Sequence, residues 1–167
     1  MDLRPIPARD WADWYTQELC ASFPACECKP LEAIRALAAE GCYELLGLYD
    51  GAALLGYATL WSTPEWPDYV LLDYLGVTAA RRNGGLGGAI LKMLAAREAG
   101  RRTVLVEAEA VYESFNCGLL CQVFVLGPAP ADQVDLKAAH RAIYGPARTD
   151  VVIDPPPGAS PEPPYWM

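Results

Sequence analysis

The chain has 167 residues and a mass of 18.1 kDa, 53% of its residues are hydrophobic, and its formal net charge is −8. This length supports one hydrophobic core, and the apolar content excludes a disordered chain. The net negative charge argues against nucleic acid as a partner, and no apolar run reaches the roughly 18 residues of a membrane span. We therefore expect a single domain over residues 1–150.

The first forty residues predict a short strand and two helices. A strand is expected around Leu3–Ile6, and large apolar residues at helical spacing predict an amphipathic helix over about Ala8–Ala21. After a loop at residues 22–29, Pro30 suits the first turn of a second helix, which Gly41 ends. The buried face of the first helix is expected to consist of Trp11, Trp14, Tyr15 and Leu19.

Three strands with short connections follow. The runs Cys42–Tyr49 and Ala52–Trp61 flank Asp50-Gly51, which is a strong hairpin turn signal. The run Tyr69–Val77 is largely apolar, which is typical of a central strand covered on both faces. We expect these three strands to form an antiparallel meander.

The next segment predicts a crossover unit. Residues 78–85 form a glycine-rich loop, Leu86–Glu98 a helix and Thr103–Glu109 a strand. A strand, a helix and a strand in this order pair their strands in parallel, so Tyr69–Val77 and Thr103–Glu109 are expected to be parallel neighbours. The negative C-terminal end of the helix is expected to face basic side chains: Arg97, Arg101 and Arg102.

The C-terminal part predicts one further strand, one further helix and a tail. A strand is predicted at Leu119–Leu126 and a helix at Asp132–Tyr144. Residues 151–167 form a proline-rich C-terminal tail, which is expected to be extended or disordered.

The run Arg81-Arg82-Asn83-Gly84-Gly85-Leu86-Gly87-Gly88 carries the most specific chemistry. Glycines at a helix start leave main-chain N–H groups uncovered, and these groups can hold a phosphate. The alternative is a turn that uses glycine only for its backbone angles. The dinucleotide fingerprint fails because Ile90 stands where it needs glycine, and the nucleotide-triphosphate loop is absent.

The pattern Arg82-x-x-Gly85-x-Gly87 follows an apolar strand that ends at Leu75-Gly76-Val77. Residues 72–94 (LDYLGVTAARRNGGLGGAILKML) resemble the signature Gln/Arg-x-x-Gly-x-Gly/Ala of the GNAT superfamily of acyl-CoA-dependent N-acyltransferases. The order of elements from residue 1 to 109 resembles that family too. The resemblance implies an α/β fold with a mixed, mainly antiparallel central sheet, a parallel and splayed fourth and fifth strand, and flanking helices. This sequence departs from the family after Glu109, because only a turn's worth of residues separates Glu109 from Leu119, where the family usually has a full helix. The C-terminal part is therefore expected to be shortened.

The resemblance also implies which residues bind acetyl-CoA, the acyl donor. The main chain of Leu75, Gly76 and Val77 would pair with the pantetheine arm between the splayed strands. Arg82 would lie beside the pyrophosphate. The pyrophosphate itself would be held by the main-chain amides of Asn83, Gly84, Gly85, Leu86, Gly87 and Gly88.

The chemistry that the resemblance implies is attack of a neutral amine on the thioester, so a base must first take a proton from the ammonium. Asp73, the one acid in an apolar strand, is a candidate because burial raises a carboxyl pKa. Strand alternation places it on the same face as Leu75 and Val77, opposite Tyr74. Glu107 and Glu109 are rivals, as is a water chain.

Two further groups complete the expected chemistry. Backbone N–H groups near Val77 would stabilise the oxyanion. Tyr112, in a segment that resembles the family's Tyr-x-x-x-Gly-Phe, would protonate the leaving thiolate. A tyrosine that only caps the sheet, and a buried Asp73 satisfied by local hydrogen bonds, remain the structural alternatives.

We therefore expect an N-acetyltransferase that transfers acetyl from acetyl-CoA to a primary amine of a small molecule or peptide. The alternatives are an acyl-CoA-binding module without catalysis and an interaction domain whose tail engages a partner. The N-terminus lacks a signal-peptide pattern, and the six cysteines read as reduced thiols, so a cytoplasmic protein is expected. No metal site is expected, because Cys26 and Cys28 are too closely spaced for zinc and His140 is distant. The oligomeric state stays open, a homodimer included.

Overall fold

The computed structural model describes residues 1–109, 121–126, 138–139 and 142–144. These residues contain one six-stranded sheet in which the strands follow one another in chain order. Only β4 and β5 are parallel, and every other neighbouring pair is antiparallel. The predicted mixed sheet is confirmed. Its strands are β1 (Asp2–Pro5), β2 (Tyr43–Asp50), β3 (Ala53–Trp61), β4 (Tyr69–Val77), β5 (Thr103–Glu109) and β6 (Cys121–Leu126).

The three helices predicted within residues 1–109 are confirmed, although the first one changes pitch along its length. Helix α1 spans residues 8–22, α2 spans Leu31–Ala39, and α3 spans Leu86–Glu98. Helix α1 consists of a 3₁₀ turn, an α-turn, a π-turn and a last α-turn. These are Ala8–Asp10, Trp11–Trp14, Tyr15–Leu19 and Cys20–Ser22.

The helices cover opposite faces of the sheet. Ile90 and Leu94 of α3 pack with apolar side chains of β2, β3 and β4 on one face. Trp14 and Leu19 of α1 pack with Ile34 of α2 on the other face. Trp11 and Tyr15, which were expected in the core, are only partly buried. The Trp11 indole N–H donates to the Ile6 carbonyl at 2.8 Å, which holds β1 to the start of α1.

Strand β4 contains a bulge that reverses one prediction. Thr59 of β3 is opposite Tyr74 and Leu60 is opposite Leu72, so Asp73 has no partner in β3. An extra residue in one strand shifts the alternation of its side chains. Asp73 and Tyr74 therefore both lie on the face covered by α1 and α2, whereas Leu75 packs against the cluster on the α3 face. The prediction that Asp73 shares a face with Leu75 was wrong.

The C-terminal end of α3 carries an ion-pair network around one buried carboxylate. The Glu98 side chain is 1% exposed and pairs with Arg97 and Arg102. Both arginines also pair with Glu44 of β2. The arginines expected to complement the helix end thus bind a buried carboxylate, and the network joins α3, β2 and the start of β5.

This network makes stability depend on pH. Burial would raise the pKa of Glu44, but hydrogen bonds from Arg102 and Arg97 outweigh it and hold the pKa below the ordinary 4.5. A carboxyl whose pKa is lower in the folded state stabilises the fold above its unfolded pKa. We expect the urea midpoint to fall as pH drops below 4.5 and through the folded pKa of Glu44. Glu44→Gln should flatten this slope, and an unchanged slope would contradict the assignment.

The C-terminal predictions are tested in part. Strand β6 lies within the predicted Leu119–Leu126, and residues 138–139 and 142–144 are helical, within the predicted Asp132–Tyr144. Ala139 and Ile143 are buried against Leu71 and Leu105. The predicted shortening at residues 110–120 and the tail at residues 151–167 lie outside the described residues. In the part that the structure describes, no helix has both the length and the apolar character needed to cross a membrane.

Candidate functional site

A groove of about 380 Å³ opens where β4 ends and α3 begins. Its walls are the last residues of β4, the loop between β4 and α3, and the last turn of α1. The lining consists of Ser22, Phe23, Leu75, Gly76, Val77, Arg81, Arg82, Asn83, Gly85, Leu86 and Gly87.

The groove brings together most of the residues predicted to bind acetyl-CoA. They come from β4, from α3 and from the loop between them. Gly84 and Gly88 belong to the same loop and helix start but do not line it. No sequence signal placed Ser22 and Phe23 at this groove. Ser22 ends α1 and Phe23 directly follows it, in a region without a motif, so only the fold could place them beside the loop.

Backbone angles explain one of the loop glycines and not the others. Gly85 has φ +73°, the left-handed region that favours glycine, and it precedes the first residue of α3. At Gly87 and Gly88 a Cβ would meet nothing within 4 Å, and neither has a positive φ. Glycine inside a helix costs roughly 1 kcal/mol relative to alanine. Neither close packing nor backbone strain requires glycine at Gly87 and Gly88. The remaining reason for glycine there is that it leaves the main chain uncovered by side chains.

The first turn of α3 lines the groove at Leu86 and Gly87, and its main-chain N–H groups lack partners within the helix. Ala89 N–H donates to the Gly85 carbonyl at 3.1 Å, the start of the helical ladder. The N–H groups of residues 86–88 precede this bond and have no acceptor within the helix. Donors at the positive end of a helix favour an anion.

Arg82 supplies a positive charge at the same place. Its guanidinium donates to the Val77 carbonyl at 3.4 Å and to the Ser22 hydroxyl at 3.2 Å. Burial raises the pKa of Glu18 on α1, and the nearby Arg82 charge opposes that rise. Arg82 therefore connects the end of β4 to α1 and leaves a cation on the groove wall.

Strands β4 and β5 pair only over their first halves. Leu72 and Val106 form the last pair of the parallel ladder, although β4 continues to Val77 and β5 to Glu109. Beyond that pair, β5 bonds with β6 on its other side. The β5-facing edge of β4 over residues 73–77 thus presents main-chain groups that an extended molecule can pair with. The predicted splay is present.

Gly76 allows the Tyr57 ring to lie against β4. A Cβ at Gly76 would overlap the Tyr57 ring and its hydroxyl. Tyr57 is fully buried, and burial raises the pKa of its phenol to about 12. The hydroxyl donates to the Glu18 carbonyl at 3.4 Å.

Gly76→Ala should therefore destabilise the fold, because a buried ring has no space to move. Overpacking of this kind costs typically 1–3 kcal/mol, which urea denaturation would measure. Gly76→Ala combined with Tyr57→Phe, which removes the hydroxyl, should recover part of the loss. No change in the single variant would contradict the contact.

The predicted catalytic residues are only partly within the described structure. The Asp73 side chain is buried, and its carboxylate accepts from Lys29 Nζ and from the Tyr43 hydroxyl, each at 2.6 Å. Burial, with the Asp73 charge, raises the pKa of Tyr43, so the phenol stays a donor. The main chain of Glu107 and Glu109 is part of β5, and Tyr112 lies outside the described residues. Among described residues no three potential metal ligands cluster.

The fold of this chain is similar to those of several solved protein structures. No family model and no curated protein matches the chain. A GNAT family protein from Bacteroides thetaiotaomicron is similar with a TM-score of 0.63 and 20% identity, over 84% of this chain and 95% of that one.

Two other solved structures are similar over less of the chain. A GNAT family acetyltransferase from Brucella melitensis, in complex with acetyl-CoA, has a TM-score of 0.52 and 21% identity, over 78% of this chain and 90% of that one. The ribosomal-protein-S18-alanine N-acetyltransferase from Escherichia coli has a TM-score of 0.52 and 19% identity, over 67% and 69%. At these identities the likeness concerns the fold. The chain therefore has the fold of the GNAT acetyltransferases, as residues 72–94 predicted.

Proposed function

We propose that this protein is an N-acetyltransferase that transfers the acetyl group of acetyl-CoA to a primary amine of a small molecule or peptide. The observation that carries the proposal is the bare helix start at Gly87 and Gly88, beside the groove and without a packing reason. The same fold in the acetyl-CoA complex from Brucella melitensis supports it.

The residues present fit acetyl-CoA. The main-chain donors at residues 83–88 would hold the diphosphate, with the Arg82 guanidinium beside it. The edge of β4 at Leu75, Gly76 and Val77 would pair with the amide-containing arm. Acetyl-CoA supplies an activated thioester, and the protein's task is to orient it and to move protons.

Two proton transfers are required. A base takes a proton from the acceptor's ammonium, because only a neutral amine attacks, and an acid protonates the departing thiolate. The Asp73 carboxylate already binds the Lys29 ammonium at one oxygen and the Tyr43 hydroxyl at the other. Glu107, the residue after the last β4–β5 pair, is therefore the base that we favour. Main-chain N–H near Val77 would stabilise the oxyanion, and Tyr112 remains the proposed acid.

A thermal-shift series tests the binding half of this function. CoA at about 100 times its dissociation constant should stabilise the fold by roughly 2.7 kcal/mol. Pantetheine, which lacks the diphosphate, is the matched control and should give a much smaller shift. Equal shifts would show that the loop does not hold the diphosphate, and no shift with either would refute the proposal.

A thiol-release assay with acetyl-CoA and a panel of primary amines tests the transfer half. The ion-paired state of Asp73 favours a second candidate, an acyl-CoA-binding module without catalysis. A CoA-induced shift with no amine-dependent thiol release would support that candidate.

Tyr112→Phe tests the proposed acid. Loss of a general acid lowers turnover by about 100-fold, while affinity for CoA should be unchanged because the loop is untouched. Turnover equal to that of the wild type would remove Tyr112 from the mechanism.

A further inference from the structure

The ammonium of Lys29 lies in a box of aromatic rings closed by a carboxylate. Its Nζ is 2.6 Å from Asp73 Oδ1. It lies 4.3 Å from the centroid of the Trp61 ring, 5.3 Å from that of Tyr74 and 5.8 Å from that of Tyr144. We name the set Trp61, Tyr74, Tyr144 and Asp73 the ammonium cage. Aromatic faces around a cation, with a carboxylate as hydrogen-bond acceptor, are the chemistry by which proteins recognise ammonium groups.

The cage lies at the point where the sheet divides. Asp73 is the bulged residue of β4 and directly follows Leu72, the last residue that pairs with β5. The bulge turns Asp73 and Tyr74 to the α1 and α2 face, so the cage lies across β4 from α3. A cation held there is next to the start of the unpaired edge of β4.

Lys29 enters the cage from the connection between α1 and α2. Its main-chain N–H donates to the Tyr74 hydroxyl at 2.9 Å, and that hydroxyl donates to the Glu27 carbonyl at 2.7 Å. The Asp73 side chain is 4% exposed, whereas the Lys29 side chain is 21% exposed. Tyr74 and the Asp73 side chain are thus buried and Trp61 and Tyr144 are partly buried, while the Lys29 side chain reaches solvent from a connecting segment.

We propose that the ammonium cage is the recognition site for the ammonium group of the acceptor, and that Lys29 is a tethered occupant which the acceptor displaces. The inference rests on the proposed function and names its substrate class. Because the occupant is an ammonium on an unbranched alkyl chain, the acceptor is a primary alkylammonium of similar shape. Lys29 keeps the Asp73 charge paired until such a cation arrives.

Lys29→Ala vacates the cage and leaves room for n-propylammonium, which replaces the atoms removed. We expect n-propylammonium to raise the Tm of Lys29→Ala and to bind it about tenfold more tightly than the wild type. n-Propanol has nearly the same size without the charge and should have no such effect. The double variant Lys29→Ala/Asp73→Asn should lose the response. A response equal to that of the wild type, or to that with n-propanol, would overturn the proposal.

An NMR titration of the wild-type protein tests the same proposal if Lys29→Ala does not fold. The Lys29 Nζ lies 4.3 Å from the Trp61 ring centroid, so ring current should move the NMR signal of the adjacent ε-methylene protons upfield. Titration with n-butylammonium should return this signal toward that of the exposed Lys92 as Lys29 leaves the cage. A Lys29 signal that stays fixed up to saturating n-butylammonium, whether or not other protein signals move, would overturn displacement.

These measurements need no acetyl-CoA, so the two proposals fail separately. A cage that binds n-propylammonium in a protein that does not bind CoA would refute the transferase and keep the ammonium site. CoA binding without a cage response would refute the ammonium site alone. Where both succeed, Lys29→Ala should show a lower KM than the wild type for straight-chain primary amines, and an unchanged or higher KM would overturn the acceptor assignment.

Discussion

Gly87→Glu should abolish CoA binding and leave the fold intact. Gly87 lines the groove, its φ is ordinary, and a Cβ there would stand in open space, so a larger residue meets no steric obstacle. The new carboxylate would lie among the main-chain donors and repel the diphosphate. We expect a loss of affinity of at least about 100-fold, or roughly 2.7 kcal/mol, measured by isothermal titration calorimetry with CoA.

Two matched variants separate charge from bulk and position. Gly87→Ala adds a methyl group without charge, so it should stabilise α3 by up to roughly 1 kcal/mol and bind CoA far better than Gly87→Glu. Gly88→Glu adds the same charge one residue away, at a position that does not line the groove, and should weaken binding less. Full CoA affinity in Gly87→Glu would show that the diphosphate does not bind at this helix start.

Glu98→Ala should give the largest loss of stability. Glu98 is almost fully buried, and its removal leaves the guanidiniums of Arg97 and Arg102 sharing only the carboxylate of Glu44. Breaking a buried ion pair by removing one partner costs roughly 3–5 kcal/mol, and the total stability of a domain is only about 5–15 kcal/mol. Urea denaturation would measure the loss as a lower midpoint.

An exposed ion pair provides the control. Glu32 is 81% exposed and pairs with Arg35 one helical turn away. Glu32→Ala should change the free energy of unfolding by less than about 0.5 kcal/mol. Similar losses in the two variants would show that burial of Glu98 does not determine its contribution.

Much of the fold was predictable because its local signals agree with its topology. The Asp50-Gly51 turn joins β2 to β3, and Gly51 has the positive φ that the turn signal predicts. The apolar run Tyr69–Val77 became the strand between an antiparallel and a parallel neighbour. The glycine loop was recognisable because glycine is the residue that leaves the main-chain N–H groups of a helix N-terminus uncovered.

Other features depend on contacts that the sequence does not display. The bulge at Asp73 is set by the register of β3 against β4. Regular strand alternation therefore predicted the wrong face of the sheet for the Asp73 side chain. Glu98 falls on the buried side of α3, where a charged residue is explained by its pairs with Arg97, Arg101 and Arg102. The site of Lys29 has no sequence signal either. Lys29 lies on the connection between α1 and α2, whereas its ammonium cage is formed by residues of β3 and β4 and by the distant Tyr144.

The two ends of α3 differ in how they are held. At its C-terminal end the Glu98 network joins the helix to β2 and β5, whereas the amides of residues 86–88 have no acceptor within the helix. Amide hydrogens without an acceptor exchange with deuterium rapidly, and those of the anchored end exchange slowly. A diphosphate bound at the N-terminal turn would therefore reduce the difference in exchange rate between the two ends of α3. Slower exchange confined to that turn would indicate that the diphosphate is bound there.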